Sequence, residues 1–114
     1  MVKFVKGYFS ESLTATLAQD LMMKPAVYLD IDADLYISSK QALIFMFEYG
    51  LAVRGTIVGY DDWWVESCSS GGEFLSPLET GEGKAHAEIA EEYGVNFRCA
   101  AGSCNFSELC PMIN

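Results

Sequence analysis

The stretch "VYLDIDADLY" (residues 27–36) places three aspartates at alternate positions directly after a run of apolar residues. Up to its acids, "AVYLDID" (residues 26–32) is nearly continuously apolar, the pattern of a strand buried on both faces of a parallel sheet. Asp30, Asp32 and Asp34 then fall at the strand's carboxyl end, where ligands sit in open α/β sheets. Side chains two apart on extended backbone face the same way, so Asp32 and Asp34 are expected to project together.

Working outward, "VKFVKG" (residues 2–7) alternates like a strand and stops at Gly7. "SESLTATLAQDLM" predicts a helix capped by Ser10, and Pro25 ends that region. A second helix is expected from Ser38 or Ser39, with Ala42, Leu43, Met46 and Phe47 at helical spacing and Gly50 as its terminator. "GTIVGYDDWW" (residues 55–64) reads as the next strand and carries a second acidic pair, Asp61 and Asp62, at its end. Residues 69–83, rich in Gly and Ser, read as a loop in which the glycines of "GEG" supply flexibility. "KAHAEIAEEYG" reads as a helix closed by Gly94, and "VNFRCAAG" and "NFSELC" as two short strands forming an antiparallel ending. Alternating strands and helices imply an α/β sheet with crossover connections. The expectation is a single α/β domain over residues 1–114, mostly parallel with an antiparallel ending.

With 114 residues, 51% of them hydrophobic, the chain has material for one packed core. A formal charge of −9, from 16 acidic and 7 basic residues, argues against a phosphate-binding surface, since nucleic-acid affinity rests largely on Lys and Arg. It argues against docking on an anionic membrane on the same ground. The apolar runs are broken by Glu48 and Arg54 and fall short of the roughly 20 residues a membrane helix needs. The N-terminus lacks the continuous hydrophobic core of a secretory signal. Cys68, Cys99, Cys104 and Cys110 form neither a CxxC pair nor a metal-finger spacing, which favours free thiols and a reducing, intracellular (cytoplasmic) setting. A disulfide among the last three stays open, and a zinc site is not expected.

Several carboxylates gathered at close range repel unless some protonate or a cation sits between them. Oxygen donors without neighbouring Cys or paired His select a hard ion, Mg²⁺ ahead of Ca²⁺ or Mn²⁺. A metal held by Asp32, Asp61 and Asp62 leaves Asp34 beside it as a general base. The plainer alternative is that each aspartate caps a following helix, where unsatisfied N–H groups favour carboxylates.

Taken in order, "VKFVKGYFSESL", "YLDIDADLYISSKQAL", "GTIVGYDDWW" and "GEGKAHAEI" resemble the later part of the macrocin O-methyltransferase family. Its members are class I, S-adenosylmethionine-dependent enzymes that methylate sugar hydroxyls of natural products. The likeness spans nearly all of residues 2–100. It rests on Lys6-Gly7 at a strand end, on Asp32-Ala33-Asp34-Leu35-Tyr36, and on Asp61-Asp62 after a glycine-led strand. It implies a partial Rossmann-like sheet with Mg²⁺ on Asp32, Asp61 and Asp62. It further implies Asp34 as the base for the hydroxyl of a small-molecule acceptor, and a donor site, S-adenosylmethionine, at Gly7, Tyr8 and Phe9.

The family holds its donor through a glycine-rich turn after its first strand and an acidic residue after its second, and neither occurs here. By the resemblance the chain starts at the family's third strand and lacks the first two, which leaves a gap of about 14 Å at ~4.8 Å per strand. The gap implies that "VKFVKG" pairs directly with "AVYLDID", or stands as an open edge, or that a second copy or partner chain completes the sheet. The remaining expectations are plain ones. His86 is a surface histidine, and Glu11, Glu88, Glu91 and Glu92 are solvated. Trp63 and Trp64 either wall an acceptor pocket or pack in the core. A non-catalytic assembly subunit is the alternative to an incomplete enzyme.

Overall fold

Strand β1 (Tyr28–Ile31) pairs in parallel with β2 (Ile57–Tyr60), in the register Tyr28–Ile57 to Ile31–Tyr60. The structure, a computed structural model, describes residues 2–63 and 77–101. The two strands are joined by helix α3 (Tyr36–Glu48), a strand–helix–strand unit. Ahead of β1 lie two short helices, α1 (Phe9–Ser12) and α2 (Ala15–Asp20). After β2 come a 3₁₀ turn at Pro77–Glu79 and helix α4 (Gly81–Tyr93). The protein is therefore a small α/β domain, and its described sheet has two strands.

Parallel strands cannot be joined by a tight turn, and the crossover helix supplies the return path. Thr56 fastens the entry into β2: its hydroxyl donates to the Ala26 carbonyl at 2.7 Å and accepts from the Val53 N–H at 3.0 Å. The ladder then runs past the last paired residue, with the Asp61 N–H donating to the Ile31 carbonyl at 3.0 Å.

Helix α3 buries residues on two sides. Leu43 joins Ile31 of β1 and Ala85 and Ile89 of α4 in one cluster. Phe45 and Met46 join Leu51 in another, which Leu13, Leu17 and Ala18 of the N-terminal helices flank. Ala42 and Phe47 are half-buried against the first cluster, in keeping with the spacing expected from the sequence. The helix ends as Gly50 adopts φ 68°, with the Leu51 N–H returning to Met46 at 2.8 Å and the Gly50 N–H to Phe47 at 3.3 Å. This pair of bonds is a Schellman closure, and Leu51, buried beside Met46, supplies its apolar contact. Gly94, also left-handed, closes α4 as its position suggested.

Four elements differ from the sequence reading. Residues 2–6 form no strand: Phe4 is 93% exposed, and a strand without a neighbour has no ladder to hold it. The expected single helix after Ser10 is two, because Thr14 leaves helical geometry and caps α2, accepting from the Leu17 N–H at 3.2 Å. "GEG" is not loop but the buried first turn of α4, with Gly81 at φ 51° where the chain enters the helix. Residues 95–100 contain no strand, so no antiparallel ending is formed among the described residues. "NFSELC" lies outside them. Cys99 is disulfide-bonded, against the free thiols the sequence favoured and in line with the disulfide it left open among the last three cysteines.

Leu43 is wholly buried where β1, α3 and α4 meet. Leu43→Ala is expected to cost about 3 kcal/mol, the mid-range for a buried leucine truncation. Urea unfolding of the two proteins measures it, and a change below about 1 kcal/mol removes Leu43 from the core.

A carboxylate cluster as the candidate functional site

The site is built where both parallel strands end. After Ile31 the backbone does not stay extended: Asp34 takes φ 59°, a left-handed conformation that short polar residues such as Asp tolerate better than most. The turn brings its carboxylate back toward Asp32. One carboxylate oxygen from each of Asp32, Asp34 and Asp62 lies within 4.8 Å of the other two. Asp32 and Asp34 are exposed and Asp62 is half-buried. Asp61 falls outside this trio and instead lies close to Asp30 and Asp32, whose charges push its carboxyl above the usual range. Asp32 is thus common to two groups of acids. The convergence of Asp32 and Asp34 agrees with the expectation, but the route is a left-handed turn rather than strand alternation.

Asp62 is the most perturbed member. Its Oδ2 is buried and has no hydrogen-bond partner. Two ionised carboxylates offer only acceptors to each other, so a proton retained on one stabilises the contact. The Asp34 carboxyl beside it, then desolvation, then Asp32 push Asp62 up to about 7. The Asp62 backbone N–H donates to Glu82 Oε1 at 2.8 Å. Glu82, in the first turn of α4, is fully buried, and its Oε2 has no hydrogen-bond partner. Burial pushes Glu82 up, and the N–H groups of Asp62 and Ala33 partly offset that.

Beside the acids stands an aromatic group. Tyr60, the last residue of β2, has its hydroxyl 2.9 Å from His86 Nδ1. Trp63 lies 5.0 Å from the Tyr60 ring and 5.3 Å from His86, and Phe97 lies 4.2 Å from His86. Burial pushes the Tyr60 hydroxyl above its usual range and the His86 imidazole below its own. His86 is therefore a half-buried, neutral partner of Tyr60 and not the surface histidine expected. Trp64 lies outside the described residues. On the far side of α4, Glu88 is not freely solvated. It takes an ion pair from Lys40 at 2.8 Å and a hydrogen bond from the Tyr36 hydroxyl, and these pull it below the usual carboxylate range. Lys84 lies 4.7 Å from the Tyr36 ring centre, a further cation held against this helix pair.

The residues assigned to the methyl donor lie elsewhere. Gly7 and Tyr8 are exposed, and Phe9 lines a hollow with Gln41, Ile44, Phe45, Glu48 and Tyr49 along the later half of α3. Asp32 and Asp34 precede that helix's first turn, and Asp62 follows β2. The described residues thus bring the carboxylates together but do not bring Gly7, Tyr8 and Phe9 to them.

All the donors of the trio are oxygens and they converge, which is the donor set a hard divalent cation takes. Glu82 escaped the sequence reading although a signal was present. Glu82, Ala85 and Ile89 are spaced three and four residues apart, so the buried face of α4, followed back one turn, ends on it. Comparison with known protein families, with characterised proteins and with solved structures returns no match to this chain.

The raised Asp62 has a definite sign. Between the ordinary value of 3.8 and about 7 the folded chain holds a proton that the unfolded chain has released, so this group's contribution to stability falls as pH rises through that window. Asp62→Asn should therefore raise the melting temperature, relative to the unsubstituted protein, more at about pH 8 than at about pH 4, in chelator-treated samples. Equal differences at both values would show that Asp62 ionises normally.

Proposed function

We propose that the ends of β1 and β2 form a divalent-cation site, and that the domain is a Mg²⁺-assisted O-methyltransferase-like unit acting on a hydroxyl of a small molecule or sugar. The single observation that supports this most is the convergence of carboxylate oxygens from Asp32, Asp34 and Asp62, the last of which also carries a buried, unpartnered Oδ2. Asp32 and Asp62, one from each strand end, hold the ion, and Asp61 adds negative charge next to Asp32. A divalent ion at such a site lowers the pKa of a hydroxyl bound to it. Asp34 lies within reach of both ligands and accepts the hydroxyl proton. Tyr60 and Trp63, next to Asp61 and Asp62 in the chain, offer ring surface for the acceptor.

The donor side of this reading rests on the family resemblance alone. Gly7, Tyr8 and Phe9 are not brought to the carboxylates, so no step is assigned to S-adenosylmethionine within this chain. The partial Rossmann-like assignment has the same footing, supported by one parallel strand–helix–strand unit.

Calorimetric titration tests the proposal. Mg²⁺ should bind saturably, and Asp32→Asn should weaken that binding by at least ~10-fold, the scale at which perturbing a metal site is felt. S-adenosylmethionine, titrated with and without Mg²⁺, should show a metal-dependent enthalpy if a donor site exists. Well-folded protein silent toward both ligands would leave the second reading.

That second reading, a non-catalytic assembly subunit, is favoured by a specific feature. Val2, Phe4 and Tyr8 are 77%, 93% and 79% exposed, and Val27, Tyr28 and Ile57 leave apolar surface at the sheet's open start. Apolar surface beside unpaired strand edges invites another chain. Sedimentation should accordingly show concentration-dependent association, and a clean monomer at high concentration would contradict it.

A further inference from the structure

The corner that carries Asp62 to the cluster has two backbone restraints. The Asp61 N–H is tied to β1 through the Ile31 carbonyl at 3.0 Å, and the Asp62 N–H is tied to α4 through Glu82 Oε1 at 2.8 Å. Like charge works against both, because Asp34 and Asp32 repel the Asp62 carboxylate and Asp30 repels Asp61. A hydrogen bond from a backbone N–H to a buried carboxylate is charge-assisted and stronger than a neutral one. Glu82 itself is fully buried with Oε2 unpartnered, an arrangement that weakens the fold unless other contacts offset it.

We propose that Glu82 is the positioning residue of the carboxylate site: by anchoring the Asp62 N–H to the first turn of α4, it holds the Asp62 carboxylate against Asp32 and Asp34 in the geometry that receives a divalent cation. The role rests on the cation-site reading above. Glu82 acts through Asp62 and is not itself in the trio whose oxygens converge.

The test is titration of the full chain with Mn²⁺, read by electron paramagnetic resonance, on the unsubstituted protein, Glu82→Gln, Glu82→Ala and Glu82→Met. The amide proton shift of Asp62 is read in parallel on metal-free samples. Met fills the same space with only a weakly accepting thioether in place of the carboxylate oxygen, so it serves if Ala fails to fold. Ala and Met should weaken Mn²⁺ binding by roughly 10- to 100-fold, the range found when an outer hydrogen bond to a metal ligand is lost. They should also move the Asp62 amide proton upfield. Gln keeps a carbonyl oxygen for the Asp62 N–H and should stay within about 3-fold, since the hydrogen bond is retained. Mn²⁺ binding by the Met variant equal to the unsubstituted protein overturns the role while leaving the cation reading intact. A Gln variant as weak as Ala also overturns it, because charge and not the hydrogen bond would then be at work. No saturable Mn²⁺ binding by the unsubstituted protein overturns the cation reading, and the role with it, whatever the amide shift does.

Discussion

Repulsion between carboxylates is the constraint around which this fold is arranged. Asp30 lies in β1 with Asp32 and Asp34 just after it, Asp61 and Asp62 follow β2, and parallel pairing of the two strands brings all five to one end. Antiparallel pairing would have separated the two acidic sets by the length of the sheet. The chain therefore concentrates charge by topology, then restrains it with specific contacts. The left-handed turn at Asp34 folds the first set inward, and the ladder bond to Asp61 and the bond from Asp62 to Glu82 hold the second. Backbone strain and buried polar groups gathered at one place are the features that functional sites keep at some expense to stability.

The rest of the domain serves to keep those strand ends in register. Helix α3 returns the chain from β1 to β2 and buries Leu43 against Ile31, Ala85 and Ile89, so the core that welds sheet to helices lies directly behind the acids. Lys40, Tyr36 and Glu88 bind α3 to α4 on the outside of the same contact. Since α4 carries Glu82, the packing of α3 on α4 is mechanically linked to the position of Asp62. At the opposite, starting end of the sheet the order is different: among the described residues, exposed apolar side chains dominate and residues 2–8 take no regular form before α1.

What the sequence disclosed, and what it hid, divides by physical range. Period and punctuation are local, so β1, α3, β2 and their glycine stops at Gly50 and Gly94 could be read directly. The residues that converge at the site were legible because acids at two strand ends are also a local pattern. "VKFVKG" carries the alternation of a strand, but a strand needs a neighbour, and none lies beside it among the described residues. "GEG" has the composition of a loop, and only packing against the rest of the domain makes it the buried start of a helix. His86 reads as polar surface until Tyr60 and Phe97, distant in sequence or across a turn, close over it. Glu82 is the instructive case: it sat in a stretch that read as loop, while its phase on α4 pointed to the core.

In the function proposed above, a cation and a methyl donor act together. Here the two halves of that expectation stand on different footings. The carboxylates meet one another through contacts that can be named, whereas of the residues assigned to the donor Gly7 and Tyr8 are exposed and Phe9 lies against the later half of α3. A chain of this kind has a chemical identity that depends first on whether the acids hold an ion. Crystals grown with Mn²⁺ and measured for anomalous scattering decide that point. A single anomalous peak bounded by Asp32 and Asp62, with Asp34 alongside, is the expected result; a map without that peak, and with the three carboxylates directed apart into solvent, would contradict the account.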